Sequence, residues 1–541
     1  LNSRTPFLLP CLLVLAALAG CGSDRSAERG PQANVDGQVT TPSASAVTDY
    51  QAARLLEQAS WGPTPAAIAE VRQLGLNGWI ERQLTLPPTT YNAPQFVINY
   101  DQNNQAQVQQ AAGWMTARFY DAALGGEDQL RQRVAWALFN FLALGGGPPV
   151  YGKFTYRTMM ERHALGSYKD LLREVTLNAA MGHFLNNDQN EASRPNENYA
   201  RELMQLFSVG LVMLNPDGST LRDARGAPLE TYNQDDVKAA TRALSGWGFD
   251  WVQGPPARTD FGYFGRPMVP KTHQGAHDTG AKLLMGRSIP AGQSIRADLE
   301  SLLDILVDHP NTAPFVARRL IQNMVSSDPS PAYLGRVSAV FAQSRGDLKA
   351  VVRAVLLDPE ARAGDNPAHR DPRTGKIKEP VLALTMMLRG MGCRAAVMDP
   401  YNPVWPLYPG QLPYEAPSVF GYFSPNHRTA ETLRVAPEER LLIGNEFSRR
   451  FNGTHYELQA PGVFRSAGCE IDLIEARVAE GEEALIAFIA QRFLRGSMPP
   501  PLRLTLQNLW RSSAVSYEPP LGKFARMLGV ALASPYGGVV R

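Results

Sequence analysis

The sequence predicts a mainly α fold: a large multi-helix globular body with a short β-hairpin insertion and long ordered loops. Three observations carry this. Apolar residues recur at three- and four-residue spacing along most of the chain after residue 49. Capping residues, Pro and Gly punctuate those runs at helix starts and stops. No strand–helix alternation appears, which disfavours a doubly wound sheet. Hydrophobic residues are 44% of the 541, enough for a large core, and the 46 Gly and 42 Pro imply long connections.

The first 48 residues read as an address. Arg4 and the apolar run 6–20 have the length of a signal-peptide core and fall short of the roughly 20 residues that span a bilayer. Leu18-Ala19-Gly20-Cys21 resembles the bacterial lipobox. Residues 1–20 are therefore expected to be a lipoprotein signal peptide and Cys21 the lipidated (palmitate-class) residue that anchors the chain to a membrane. Residues 21–48, rich in Ser, Ala, Thr, Gly and Pro, read as a flexible tether. Gly22, where an acidic residue would favour inner-membrane retention, points to the bacterial cell envelope at the outer membrane or the periplasmic face. The body is expected over 49–535, with possible sub-lobes 49–246, 294–393 and 429–535. An oxidising compartment permits a disulfide between Cys393 and Cys469; two free buried thiols are the alternative.

Within the body, Thr48 to Gln51 has capping-box spacing and opens a helix. Thr64-Pro65 opens the next, with Ile68, Val71 and Leu74 inward and Gly75 as its stop. A wide apolar stripe covers 127–143. Ser167 starts a helix with Leu171, Leu172, Val175 and Ala179 on one face. Residues 196–209 place Tyr199, Leu203, Leu206 and Phe207 inward, and 234–245 repeat the pattern. Four regular helices follow at about 296–308, 312–325, 331–344 and 347–357; their short connections imply antiparallel neighbours. Residues 246–292 have room for the hairpin, and 394–428, rich in Pro and aromatics, read as a long ordered loop. Leu485, Ile486, Ile489 and Phe493 mark a late helix.

Charge is nearly balanced, 53 basic against 51 acidic residues for a net +2, which excludes a dedicated nucleic-acid binder. GxSxG, GxxxxGK[ST], HExxH and GxGxxG are all absent, so lipase-type, P-loop, zincin and Rossmann readings lose support.

Several motifs, in order, carry a resemblance. They are Ala53 to Thr64 (ARLLEQASWGPT), Glu197 to Gly210 (ENYARELMQLFSVG), Asp236-Val237 through Ala243-Leu244-Ser245-Gly246-Trp247, His277 to Lys282 (HDTGAK) with Gly286, and Gly410-Gln411 with Ala416 to Gly421 (APSVFG). Together they resemble the bacterial exported family called domain of unknown function 1800. Tyr422 departs from the pattern, where many members have Trp. The resemblance implies an exported, mostly helical protein and a possible partner, an exported sulfatase-like protein whose genes often neighbour the family's. It brings no activity with it.

Two residue groups are candidate sites. His273, His277 and Asp278 have ligand-type side chains at a spacing that suits a divalent metal if helical. Gly275 and Gly280 argue for a loop instead, in which Asp278 caps local N–H groups, His277 bonds a nearby carbonyl and Lys282 pairs with Asp278. Asn198, Glu202 and Gln205 share one helix face, with an expected Glu197–Arg201 ion pair beside them. That face reads as a buried hydrogen-bond network or as a site with Glu202 as acid or base and Arg201 orienting an anion. Asp235 and Asp236 suit a helix first turn, and His309 suits a helix end as a cation. The functional expectation is a membrane-anchored binding or scaffold protein for an exported partner. The alternative is a hydrolase of envelope or extracellular polymer, possibly metal-assisted, with Glu202, Arg201, His277 and Asp278 as its catalytic group.

Overall fold

The computed structural model describes residues 46–251, 259–369, 374–395, 411–429, 434–442 and 461–541. The signal-like run, Cys21 and nearly all of the tether lie outside the described residues, as do residues 396–410 of the aromatic loop. Among the described residues no helix is long and apolar enough to cross a membrane.

Helices dominate. Thr48 caps α1 (Asp49–Ala59) with a complete capping box: its hydroxyl accepts the Gln51 N–H at 3.2 Å, and the Gln51 side chain accepts the Thr48 N–H at 2.9 Å. A cap of this kind is worth about 1 kcal/mol. Thr64 caps α2 (Pro65–Thr85). Gly75 (φ +75°) kinks α2 where the sequence pattern ends it; the chain re-enters helix because Trp79, Ile80 and Leu84 still have core to fill. Then come α3 (Gln95–Ile98), α4 (Gln105–Gly125), α5 (Gln129–Phe139) and α6 (Val150–His163). α5 shows more than a stripe: every residue is buried, including Arg131, Gln132 and Arg133.

Ser167 caps α7 (Tyr168–Leu177). Ala179, expected on the same face, belongs to α8 (Ala179–Phe184), because Asn178 leaves the helical region and caps α8 by accepting the Ala180 and Met181 N–H groups. α9 (Asn198–Gln205) is shorter than its apolar pattern; Phe207 is buried from the turn beyond it, and Gly210 closes the segment at φ +73°. A meander at 211–231, which helical periodicity did not announce, follows. In it Met213 donates to the Leu229 carbonyl and accepts from Leu221 N–H, each at 2.8 Å. α10 (Gln234–Ala243) comes next.

The regular quartet is α11 (Ile295–Val307), α12 (Thr312–Met324), α13 (Pro331–Ser344) and α14 (Leu348–Leu357), followed by α15 (Pro359–Arg362) and α16 (Pro380–Gly390). The C-terminal helices are Pro461–Ser466, Ile471–Ala479, Glu482–Phe493, Pro500–Arg511, Ser513–Ser516 and Pro520–Ala533. Strands are short antiparallel pairs: β1 (Trp247–Gly248) with β2 (Val269–Pro270), β3 (Lys282–Leu284) with β4 (Arg287–Ile289), and β5 (Lys376–Ile377) with β6 (Val539–Val540). β3–β4 is a hairpin inside the predicted insertion.

Residues 47–541 form one compact unit whose buried apolar side chains make a continuous core from Ala52 to Val540. Several charged and polar groups inside that core are paired. Glu57 meets Lys378 at 3.2 Å and Arg495 at 2.6 Å. Glu379 accepts from Trp136 at 3.0 Å, Asn140 at 3.3 Å and Gln411 at 2.7 Å. Tyr422, at the position that departs from the family pattern, stacks on Trp136 at 5.7 Å. Cys393 and Cys469 are joined in a disulfide across 76 residues of sequence. His309 is not set up as a cation: burial pushes its pKa down, and its Nδ1 accepts the Asn311 N–H at 3.2 Å.

Candidate functional site

The candidate site residues lie at two ends of α10. At its C-terminal end, Gly246 donates to the Asn190 carbonyl, Asn190 Nδ2 donates to the Thr241 carbonyl, and Ala192 donates to the Ala276 carbonyl. Gly246 has φ +93°, and a Cβ there would lie 3.0 Å from the Ala276 backbone. The glycine of the Ser-Gly-Trp motif therefore lets the 271–280 loop lie against α10.

This hub separates the three metal candidates. Asp278 forms a two-point ion pair with Arg242, at 2.8 and 3.0 Å. That pairing, with the Gly280 N–H, holds its carboxyl below the usual range. His273 faces Glu191 at 3.3 Å. His277 Nδ1 lies 2.9 Å from the Ser245 carbonyl and therefore carries the proton, while Nε2 lies 3.2 Å from Asp298. Among the described residues no three His, Cys, Asp or Glu side chains are grouped to hold a metal ion. The loop geometry is the reason: the residues do not share a helical face. Lys282 donates to the Asp278 and Gly280 carbonyls at 2.7 and 2.8 Å and meets Asp298 at 2.7 Å, with Asp278 Oδ1 at 3.8 Å.

Ser245, His277 and Asp298 look superficially like a hydrolytic triad, since Ser245 Oγ lies 3.4 Å from His277 Nδ1. Its geometry is structural. Ser245 is buried, its hydroxyl donates to the Arg242 carbonyl at 2.7 Å and accepts the Asp278 N–H at 3.0 Å. A nucleophile needs a free approach and a base that is not already committed to its own backbone.

At the N-terminal end of α10, Arg201 bonds Glu197 and Gln234, each at 2.6 Å, so the expected ion pair forms and ties α9 to α10. The network is not buried: Asn198 and Arg201 are exposed, because the short α9 presents that face outward. Glu202 is half-buried, and burial raises its pKa. Gln234 and Arg242 are eight residues apart, about 12 Å along the helix. Glu202 and Arg201 therefore do not form one catalytic group with His277 and Asp278.

A different region has unpartnered chemistry. The α6 residues Tyr151, Thr155, Thr158 and Arg162 recur at helical spacing and line a cleft of ≈ 590 Å³. The opposite wall is the turn 262–267. It is pinned at one end by Phe261 N–H on the Ile98 carbonyl (3.0 Å) and at the other by Met268 N–H on the Leu177 carbonyl (2.7 Å). Gly265 permits this approach; a Cβ there would sit 2.6 Å from the Tyr151 hydroxyl. Tyr91, Phe154 and Phe264 add rings, and Glu174 adds a carboxylate. Burial raises the Tyr91 and Tyr151 pKa values, so both hydroxyls stay protonated. Among the described residues, Glu174, Arg162 and the Tyr91 and Tyr151 hydroxyls have no protein hydrogen-bond or ion-pair partner. Sequence reasoning missed this cleft. The available signal was the ring-and-hydroxyl stripe at 151, 155, 158 and 162 behind Pro149.

Fold and sites together define a mainly α protein with one continuous core among the described residues, loop-wired motifs and a surface cleft. The chain belongs to the family described as protein of unknown function (DUF1800), whose model matches residues 54–536. No curated protein and no solved structure matches it.

Proposed function

We propose that this chain is an exported, lipid-anchored binding protein whose α6 cleft receives a saccharide segment of an envelope or extracellular polymer. One observation carries this reading: the cleft combines aromatic faces with polar groups that lack protein partners. Rings stack on the C–H faces of sugars, while hydroxyl, guanidinium and carboxylate groups hydrogen-bond their hydroxyls. The lipobox-like Leu18 to Cys21 and the tether support the anchored, exported setting. Hydrolysis is the weaker reading, because glycosidases use two carboxylates about 5–9.5 Å apart. Among the described lining residues Glu174 is the only carboxylate.

A glycan array probed with the full chain, followed by calorimetry on the best binder, tests this. Tyr151→Ala should weaken that binding by about tenfold, from a loss of ring contact worth roughly 1–2 kcal/mol. Its circular dichroism should not change. An array without hits, or a hit insensitive to Tyr151→Ala and to Glu174→Gln, overturns the assignment.

A further inference from the structure

A second, smaller cavity opens where the first two helices meet the C-terminal part of the body. Its volume is ≈ 180 Å³. One wall is apolar: Pro63, Pro65, Ile68 and Ala69 from the start of α2. The other is cationic, with Arg72, Arg492 and Arg495.

The cations are incompletely satisfied. Arg492 gives one guanidinium nitrogen to Glu470 at 2.7 Å, yet its buried Nη1 has no partner. Arg495 is 5% exposed; it bonds Glu57 at 2.6 Å and the Tyr536 carbonyl at 3.1 Å, and its buried Nε has no partner. Arg495 also stands in the left-handed region at φ +61°. The carboxylate on the cavity wall, Asp49, is engaged by Arg72 at 2.9 Å. The N-terminus of α2 adds its positive dipole end, with Thr64 already accepting the Ala67 N–H. A buried donor without an acceptor is costly, and a guanidinium edge is matched by a carboxylate.

We propose that this cavity is a binding site for a small carboxylate with a short apolar tail. The acid group sits against Arg492 and Arg495, and the tail lies on Pro63, Pro65 and Ile68. A volume of ≈ 180 Å³ suits a short-chain fatty acid or the last residue of a peptide. The site is independent of the α6 cleft, and none of its lining residues is shared.

Calorimetry on the full chain should compare hexanoate, N-acetyl-leucine and the neutral hexanamide. At least one acid should bind at one site per chain, about tenfold tighter than hexanamide, as expected for a charge-assisted hydrogen bond. The tighter acid identifies the source. Arg492→Gln should remove that preference. Ile68→Trp fills the cavity from its half-exposed rim and should abolish binding of both acids with helical circular dichroism retained. The proposal fails if hexanamide binds as well as the acids, if no acid binds, or if Ile68→Trp leaves binding intact while folded.

Discussion

The hub at the C-terminal end of α10 and the cleft beside α6 make an instructive pair. The hub is dense in the residue types that suggest chemistry: Ser245, His277, Asp278, Lys282 and Asp298. Each is committed to another part of the chain. The cleft has no motif of comparable appearance, yet among the described residues the Tyr151 hydroxyl, Arg162 and Glu174, which line it, have no hydrogen-bond or ion-pair partner. Side chains that complete a fold are saturated by the fold. Side chains that serve a ligand are left with capacity to spare.

The most severe way to break this comparison is Asp298→Asn. Asp298 is fully buried and serves both Lys282 and His277. Removing its charge leaves the buried Lys282 ammonium without its counter-charge and should destabilise the chain by about 3–5 kcal/mol. Urea unfolding checks this, and the glycan binding proposed for the cleft should be unchanged in the folded fraction. Were Asp298→Asn stable but unable to bind, the hub would be a site and the division would fail.

Gly246→Ala should act on the hub through backbone alone. It forces a non-glycine residue into φ +93° and sets a methyl group 3.0 Å from the Ala276 backbone. A loss of about 1–3 kcal/mol in chemical unfolding is expected.

The smallest effect sharpens the comparison by pH. Asp278 has a folded pKa below its unfolded value, chiefly because of Arg242. A depressed carboxylate contributes stability that is present above its unfolded pKa of about 3.9 and is lost as pH falls toward the folded value. Arg242→Ala should therefore cost less than about 1 kcal/mol at neutral pH, since the pair is partly solvated. As pH falls through the folded pKa of Asp278 the variant and the parent should converge in thermal melts.

The helical architecture was legible because it is written in local periodicity. α11 to α14 fall within a residue or two of the expected boundaries, and Thr48, Thr64 and Ser167 cap helices as their side chains suggest. What stayed hidden is non-local. The kink at Gly75 depends on core volume further along α2, and the 211–231 meander on backbone pairing between its own segments. Asp298, which lies 21 residues beyond His277, carries no local sign that it meets that imidazole. The Glu197–Arg201 pair was readable from i, i+4 spacing; the exposure of that face was not, because it depends on how α9 packs. The cleft was invisible for the same reason: Tyr151 and Phe264 are brought together by a turn pinned to Ile98 and Leu177.

The Cys393–Cys469 bond has a practical consequence for anyone handling the protein. It brackets the Gly410-Gln411 and Ala416–Gly421 segments in a covalent ring. A single protease cut anywhere inside that ring leaves both fragments on one molecule. Such a nick runs as an intact chain on a non-reducing gel and separates into two bands only after a thiol is added.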